Sequence, residues 1–230
     1  MDRKSLKTRY ILSIIANLTI VILTAYSVIQ FFVDSGDGNM SVQGVTCFRY
    51  FTIDSNILCA IFALLLIPYA IRGLRTGESS FPIRLEIGKF VGTTAVGVTF
   101  FTVLFFLGPT MGYDVVFSGT NLFLHLICPL TAIISFLCFE TEHFLGRAPI
   151  LLSLVPTVIY GMIYFVMAIG VGEAQGGWPD FYGFNRGGLW PVSIVVMLIA
   201  ESLLAVALAF VHNKVMLMQR KTIENSENAN

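Results

Sequence analysis

Charge is what this chain has least of: Asp, Glu, Lys and Arg make up 12% of its 230 residues, about half the share in an average soluble domain. So few charges cannot cover the surface of a water-soluble fold. Fourteen basic residues balance fourteen acidic ones to a net charge of zero, and no local basic patch breaks that balance, so nucleic acid is excluded as a partner. Cysteine is sparse as well. Cys47, Cys59, Cys128 and Cys138 show neither CxxC spacing nor a histidine in metal-ligand arrangement, so they offer no zinc site and no disulfide framework, and no metal or cofactor is called for. A Gly-x-Ser-x-Gly stretch is absent, which excludes the nucleophile elbow of the common serine hydrolases. No period of 20–50 residues repeats along the chain, so a solenoid is excluded and an inverted-repeat transporter gains no support.

What the chain does have is apolar surface: 56% of its residues are hydrophobic, 20 are Phe and 8 are Tyr, and the mean hydropathy is +0.80. Its preferred solvent is lipid. A window of about 20 residues, the length of a bilayer-crossing helix, finds apolar runs near 10–33, 51–71, 88–107, 120–139, 150–171 and 190–212. The expected fold is therefore all-α: one polytopic domain of six transmembrane helices spanning 1–230, with 213–230 as a polar cytoplasmic tail. Arg3, Lys4, Lys7 and Arg9 precede the first run as they would a signal peptide, but the run is too long and lacks a small-residue cleavage site, so it reads as an anchor. Twelve of the fourteen Lys and Arg residues fall on one side of this topology, leaving Arg49 and Arg186 on the other. The positive-inside rule then places both termini in the cytoplasm. Trp178 and Trp190 fall near the outer interface, and the outer loop Gly172 to Leu189 (GEAQGGWPDFYGFNRGGL) is too rich in glycine for a helix and too aromatic to stand in water, so it is expected to fold back as a lid. In a eukaryotic host Asn39-Met40-Ser41 would be a lumenal glycosylation sequon. The one basic residue type that would hold a retinal, a lysine inside a span, is not expected.

In lipid the informative residues are polar ones at helical spacing. Thr52, Ser55, Asn56 and Cys59 follow i, i+3, i+4, i+7 on the second span, and Asn121, His125 and Cys128 follow i, i+4, i+7 on the fourth. Both stripes start at the outer end, and at 1.5 Å per residue Thr52 and His125 lie roughly 2 Å and 8 Å below their helix starts, within boundary error of one depth. A hydroxyl and an imidazole at one level in a dry cavity are the parts of a nucleophile and its base. Asn56 and Asn121, a turn away, are placed to donate amide hydrogens to an oxyanion. The structural alternative is open: Thr52 as a helix N-cap, and Thr, Asn and His as hydrogen-bonding glue between helices. Asp54 lies about 200° round the helix from Thr52 and is badly placed to orient the pair. Glu201 sits near the bilayer midplane, where a carboxyl is either functional or bonded to a tyrosine such as Tyr160 or Tyr164. His143 and His212, at the cytoplasmic face, read as structural or solvated.

The segments FRYFTIDSNILC (48–59), NLFLHLICPL (121–130) and WPDFYGFN (178–185) together resemble the bacterial branch of the androgen-induced, androgen-dependent six-helix membrane protein family. In that family an outer-end helix carries a threonine followed by Ser-Asn, and a later helix carries a histidine with a proline four residues on; here these are Thr52, Ser55-Asn56, His125 and Pro129. Animal members are multi-pass threonine hydrolases of fatty acid esters of hydroxy fatty acids. The resemblance implies Thr52 as nucleophile and His125 as its partner, and a place in the bacterial cell membrane, or an endomembrane such as the endoplasmic reticulum in a eukaryote. The animal members do not closely share the GEAQGGWPDFYGFN loop.

Three readings follow. One is a membrane esterase for a lipid or acyl ester entering from the outer leaflet, with Thr52 and His125 catalytic and Ser55, Asn56, Asn121, Glu201 and Trp178 supporting or binding substrate. Another is a non-catalytic lipid-binding protein or a carrier that couples proton movement through Glu201. In the last, a structural subunit, the stripes only pack helices.

Overall fold

The computed structural model describes residues 3–33, 44–78 and 81–227; the Asn39-Met40-Ser41 sequon lies outside them. The described residues form helices and no strand. The long helices are α1 (Arg3–Val33), α2 (Phe51–Thr76), α3 (Ile83–Met111), α4 (Phe123–Cys138), α5 (Arg147–Val171) and α6 (Trp190–Glu227). Five of them, all but α4, carry stretches long and apolar enough to cross a membrane, with mean hydropathies of 2.0 to 2.7.

Local chemistry explains where these helices stop and bend. α2 ends at Gly77, whose left-handed backbone (φ 75°) turns its N–H onto the Gly73 carbonyl at 2.8 Å, a conformation that a residue with a Cβ takes only at a cost. A proline lacks an N–H and its ring crowds the carbonyl four residues back. Pro109 and Pro129 each stand two residues beyond a widened π-helical turn, Val103–Leu107 in α3 and Phe123–Ile127 in α4. Those turns absorb the missing bond without breaking the helix.

α3 is the axis of the bundle: every residue from Gly88 to Phe100 is buried, whereas Ile15, Ile22 and Ile29 on α1 and Val192, Val195, Ile199 and Leu203 on α6 point outwards. Apolar outside and polar inside is the arrangement lipid favours. Gly92 lets α2 and α3 approach closely, since a Cβ there would stand 2.8 Å from the Cys59 Cα.

Two expectations change. Against the expectation of no lysine inside a span, Lys89 lies fully buried inside α3, where Asn17 Oδ1 accepts from its ammonium at 2.5 Å and Glu140 Oε2 lies 3.9 Å away. α6 runs on past His212 to Glu227, so the expected polar tail is largely helix, tied down by its own side chains. Asn213 brackets the Leu145 backbone with two bonds, and Gln219 Oε1 accepts from Arg9 and Thr141. Of the two roles open to His212, the structural one is found: it is buried, stacked on Phe136 at 4.5 Å with Nε2 3.1 Å from Glu86.

These corrections share a cause, a buried ionic network at the end of the bundle where α1 begins. Residues 139–146 fold inwards there. Glu142 Oε1 accepts from Arg9 at 2.7 Å and Tyr10 at 2.5 Å, and its Oε2 accepts from the Phe81 N–H at 2.7 Å. Glu140 Oε1 accepts from Ser13 and Asn17, while Glu86 accepts from the Glu142 and His143 amides and from the His143 ring, at 2.6 Å for the ring.

At the other end the Gly172 to Leu189 loop folds back as a lid. Asp180 organises it, its Oδ1 accepting from the Tyr164 hydroxyl at 2.7 Å and the Phe184 N–H, its Oδ2 from the Asn185 N–H. The lid reaches α2 through Tyr182, whose hydroxyl accepts from the Phe51 N–H at 3.1 Å. Cys47, in the helical turn Gly44–Arg49 before α2, is fully buried, whereas Cys138 at the end of α4 is exposed.

Gly92→Ala is expected to cost about 1–3 kcal/mol, the usual toll of overpacking, read as a lowered melting temperature in detergent. Gly161→Ala, where nothing lies within 4 Å of the new methyl, should leave melting unchanged or raise it; equal losses at both sites would refute the close α2–α3 approach.

Candidate functional site

Helix α2 places the hydroxyl. Its N-cap is Tyr50, extended (φ −104°, ψ 124°) and without a side-chain capping bond. Thr52 is therefore not the cap but the second residue of the first turn, and its Oγ1 faces His125 Nε2 at 3.4 Å across the α2–α4 contact. This is longer than the roughly 2.8 Å of a settled hydroxyl bond, as nucleophile and base pairs commonly are before a substrate closes on them.

Helix α4 places the imidazole. His125 lies in the π-helical turn ahead of Pro129, and its Nδ1 is 2.7 Å from the Val116 carbonyl. A carbonyl can only accept, so Nδ1 carries a proton and, in the neutral ring, the Nε2 lone pair is the one turned to Thr52. Both side chains are buried, at 9% and 7% exposure. The orienting group is a backbone oxygen in the short helical turn Tyr113–Val116. No side-chain pattern could have announced it.

Thr52 also lines a cavity of about 560 Å3 between α2, α3, α5 and α6. Phe51, Val103, Phe106, Phe165, Trp190, Met197 and Leu198 give it apolar walls, the lid residues Tyr182 and Phe184 close it, and Thr99, Thr102, Thr157 and Tyr160 add hydroxyls. His125 is not part of the lining and stands behind Thr52. Burial pushes the Tyr182 hydroxyl up to about 12, so the lid presents a neutral phenol. Burial likewise raises the Cys47 thiol, which keeps it a poor nucleophile.

The remaining expected residues fall into place differently. Asn56 gives its amide hydrogens to the Thr52 carbonyl at 2.7 Å and the Leu124 carbonyl at 3.0 Å. Both are committed, so in place of an oxyanion donor Asn56 is a strut that ties the Thr52 backbone to the helix that carries His125. Ser55 donates to the Thr52 carbonyl at 3.2 Å and meets Thr99 Oγ1 at 3.0 Å, bracing α2 on α3. Asn121 is buried one turn before His125, with Oδ1 unpartnered, and neither asparagine lines the cavity.

Glu201 is buried between α5 and α6, but its partner is Thr157, which donates to Oε1 at 2.7 Å. The two tyrosines expected there are engaged elsewhere, Tyr160 by the Arg49 carbonyl and Tyr164 by Asp180. Glu201 Oε2 has no partner. Trp178 packs edge-on against Tyr164 and does not line the cavity, a place that Trp190 takes. Among the described residues no three His, Cys, Asp or Glu side chains converge in a group that could hold a metal ion. Comparison of the chain with protein-family profiles, with curated proteins and with solved structures finds no match in any of the three.

Proposed function

We propose that this protein is an integral membrane hydrolase, related to the androgen-induced, androgen-dependent six-helix family, that cleaves a lipid ester with Thr52 as nucleophile and His125 as general base. The observation that carries the reading is the coincidence at one residue: Thr52 lines the apolar cavity, and its Oγ1 faces an imidazole whose far nitrogen is held by a carbonyl. Helix glue accounts for one of these contacts at a time, whereas a nucleophile needs both. An ester fits the cavity because hydrocarbon walls suit an acyl chain and the sparse hydroxyls suit a single polar junction. Fatty acid esters of hydroxy fatty acids are among the substrates this chemistry would accept.

In the reaction Thr52 Oγ1 attacks the ester carbonyl carbon as its proton passes to His125 Nε2. The tetrahedral oxyanion forms at the N-terminal end of α2, where first-turn N–H groups lack a carbonyl four residues back and the helix dipole is positive; the Thr52 N–H is the donor that reaches it. Collapse breaks the bond to the leaving alkoxide, which takes the proton from His125. Water, deprotonated by the same imidazole, then attacks the acyl-threonine carbonyl, and collapse breaks the bond to Thr52 Oγ1, which takes the proton back from His125 as the acid leaves.

The fold also supports six crossings with cytoplasmic termini. α3 ends at the lid end, and α5 begins at the end that carries the ionic network. The chain must return between them through α4, which is apolar but shorter than the others and so crosses wrapped in protein rather than fully lipid-exposed. Arg9, Lys89 and Arg220 lie at the network end, on the side where basic residues concentrate. In intact cells a membrane-impermeant maleimide is expected to label Glu173→Cys on the exposed lid and to spare Cys138 until the membrane is permeabilised; the reverse pattern would invert the topology.

Thr52→Ala and His125→Ala should each lower ester turnover by several orders of magnitude, and the double variant should be scarcely slower than either single one, because residues acting as a unit are not additive. Melting temperature controls for folding. A folded Thr52→Ala protein with full activity would falsify the mechanism.

A carrier is the second reading, and the observation favouring it is the unpartnered Glu201 Oε2 beside the cavity wall. Under hydrolysis Glu201→Gln keeps the bond from Thr157 and leaves turnover within about threefold, since surface and wall changes that preserve a contact act weakly. Unchanged hydrolysis with lost proton-driven lipid uptake would favour the carrier's coupling role instead.

A further inference from the structure

Beyond the apolar cavity lies a second one of about 330 Å3, between the end of α3 and the lid. Its character differs. Thr110, Asp180, Asn185 and Arg186 line it, and it meets the first cavity across Phe106, Leu107 and Tyr182, which belong to both. The two charged residues are not equivalent. Asp180 turns its oxygens to three donors, the Tyr164 hydroxyl and the Phe184 and Asn185 amides, and so is committed to holding the lid. Among the described residues nothing bonds to the Arg186 guanidinium, and no carboxylate lies within ion-pair distance of it. Arg186 is also one of only two basic residues at the lid end of a chain that gathers its positive charge at the other.

We propose that this vestibule is a headgroup subsite in which Arg186 holds the anionic group, carboxylate or phosphate, of an amphiphile whose chain lies in the cavity beside Thr52. The guanidinium's planar fork matches either anion with two parallel bonds, and the neutral Tyr182 hydroxyl at the junction marks where polar surface gives way to apolar. The inference rests on the hydrolase reading only in making the ligand an ester with its scissile carbonyl at Thr52. The ester selected is then one with a free anionic end, and neutral esters such as triacylglycerols lack the group that Arg186 would bind.

The test is made on the full-length protein in a neutral maltoside detergent, with the fluorescence of Trp190, in the cavity wall, reporting occupancy. Hexadecanoate and hexadecyl phosphate are each titrated against hexadecanol. Wild type should bind at least one anion about tenfold more tightly than the alcohol, the worth of one charge-assisted bidentate contact, and the better of the two identifies the natural headgroup. Arg186→Gln should bring the ratio near one, Arg186→Lys should restore part of it, and Arg186→Glu should favour hexadecylamine. Arg186 is exposed, so these variants should melt as wild type does. An Arg186→Gln protein that keeps the preference for the anion, or a wild type that shows none, would overturn the proposal. Absence of ester hydrolysis with the binding ratio and its loss in Arg186→Gln intact would sink the hydrolase and uphold the subsite.

Discussion

The bundle is organised by carboxylates that have no water to turn to. Glu86, Glu140 and Glu142 lie in an interior where an unpaired charge costs several kcal/mol, so each must be met by donors from other elements. Those donors come from far along the chain: Arg9, Tyr10, Ser13 and Asn17 on α1, the Phe81 amide before α3, and the His143 ring between α4 and α5, while Arg220 on α6 ties down the Glu142 backbone carbonyl. A network of this kind adds less stability than its bonds suggest, because desolvation offsets much of the attraction. Its effect is on arrangement. The packing of α1 against α3 brings donors to all three carboxylates at once, draws residues 139–146 into the bundle and closes one end of it.

The closed end leaves the opposite end free to be hollow. In the wall of the apolar cavity there, the polar groups are the hydroxyls of Thr52, Thr99, Thr102, Thr157 and Tyr160 rather than charges, cheaper to leave near hydrocarbon. The Thr52 and His125 arrangement differs from a triad with an acidic third member, because the Val116 carbonyl fixes the tautomer but brings no full negative charge. An imidazolium formed during attack is stabilised by a dipole alone.

How much of this could be read in the sequence depends on the kind of signal each feature leaves. Helical spacing of polar residues in apolar runs survives as a pattern, so the stripe from Thr52 to Cys59 and the stripe from Asn121 to Cys128 were legible, and both face inwards. Hydropathy averaging also located the long helices, but it assigns a charge at a helix end to solvent. Lys89 was therefore misplaced: its burial depends on Asn17 and Glu140, each more than fifty residues away, which no local window sees. Asn56 was legible as polar and buried but not as a strut, because its role is set by where the Leu124 carbonyl falls on another helix. Glu201 was recognisable as a buried carboxyl, while its choice of Thr157 over Tyr160 or Tyr164 follows from the lid, which occupies Tyr164 through Asp180. The orienting group of the imidazole is main chain and carries no residue signature at all.

The two cavities owe their shape to a difference in how tightly the helices are held. α3 has 61% of its apolar window buried, α5 only 17% and α6 22%, so the wall that α5 and α6 contribute is a single layer of side chains with lipid beyond it. α5 also ends in a π-helical turn, Phe165–Val171, where the backbone is widened and whose first two residues, Phe165 and Val166, line the cavity. Opening such a wall disturbs few packed contacts, whereas opening the α1–α2–α3 side would break the close approach at Gly92 and the struts at Asn56 and Ser55. In the proposed reaction an acyl chain would enter through the compliant wall, while the rigid side keeps Thr52 and His125 in register.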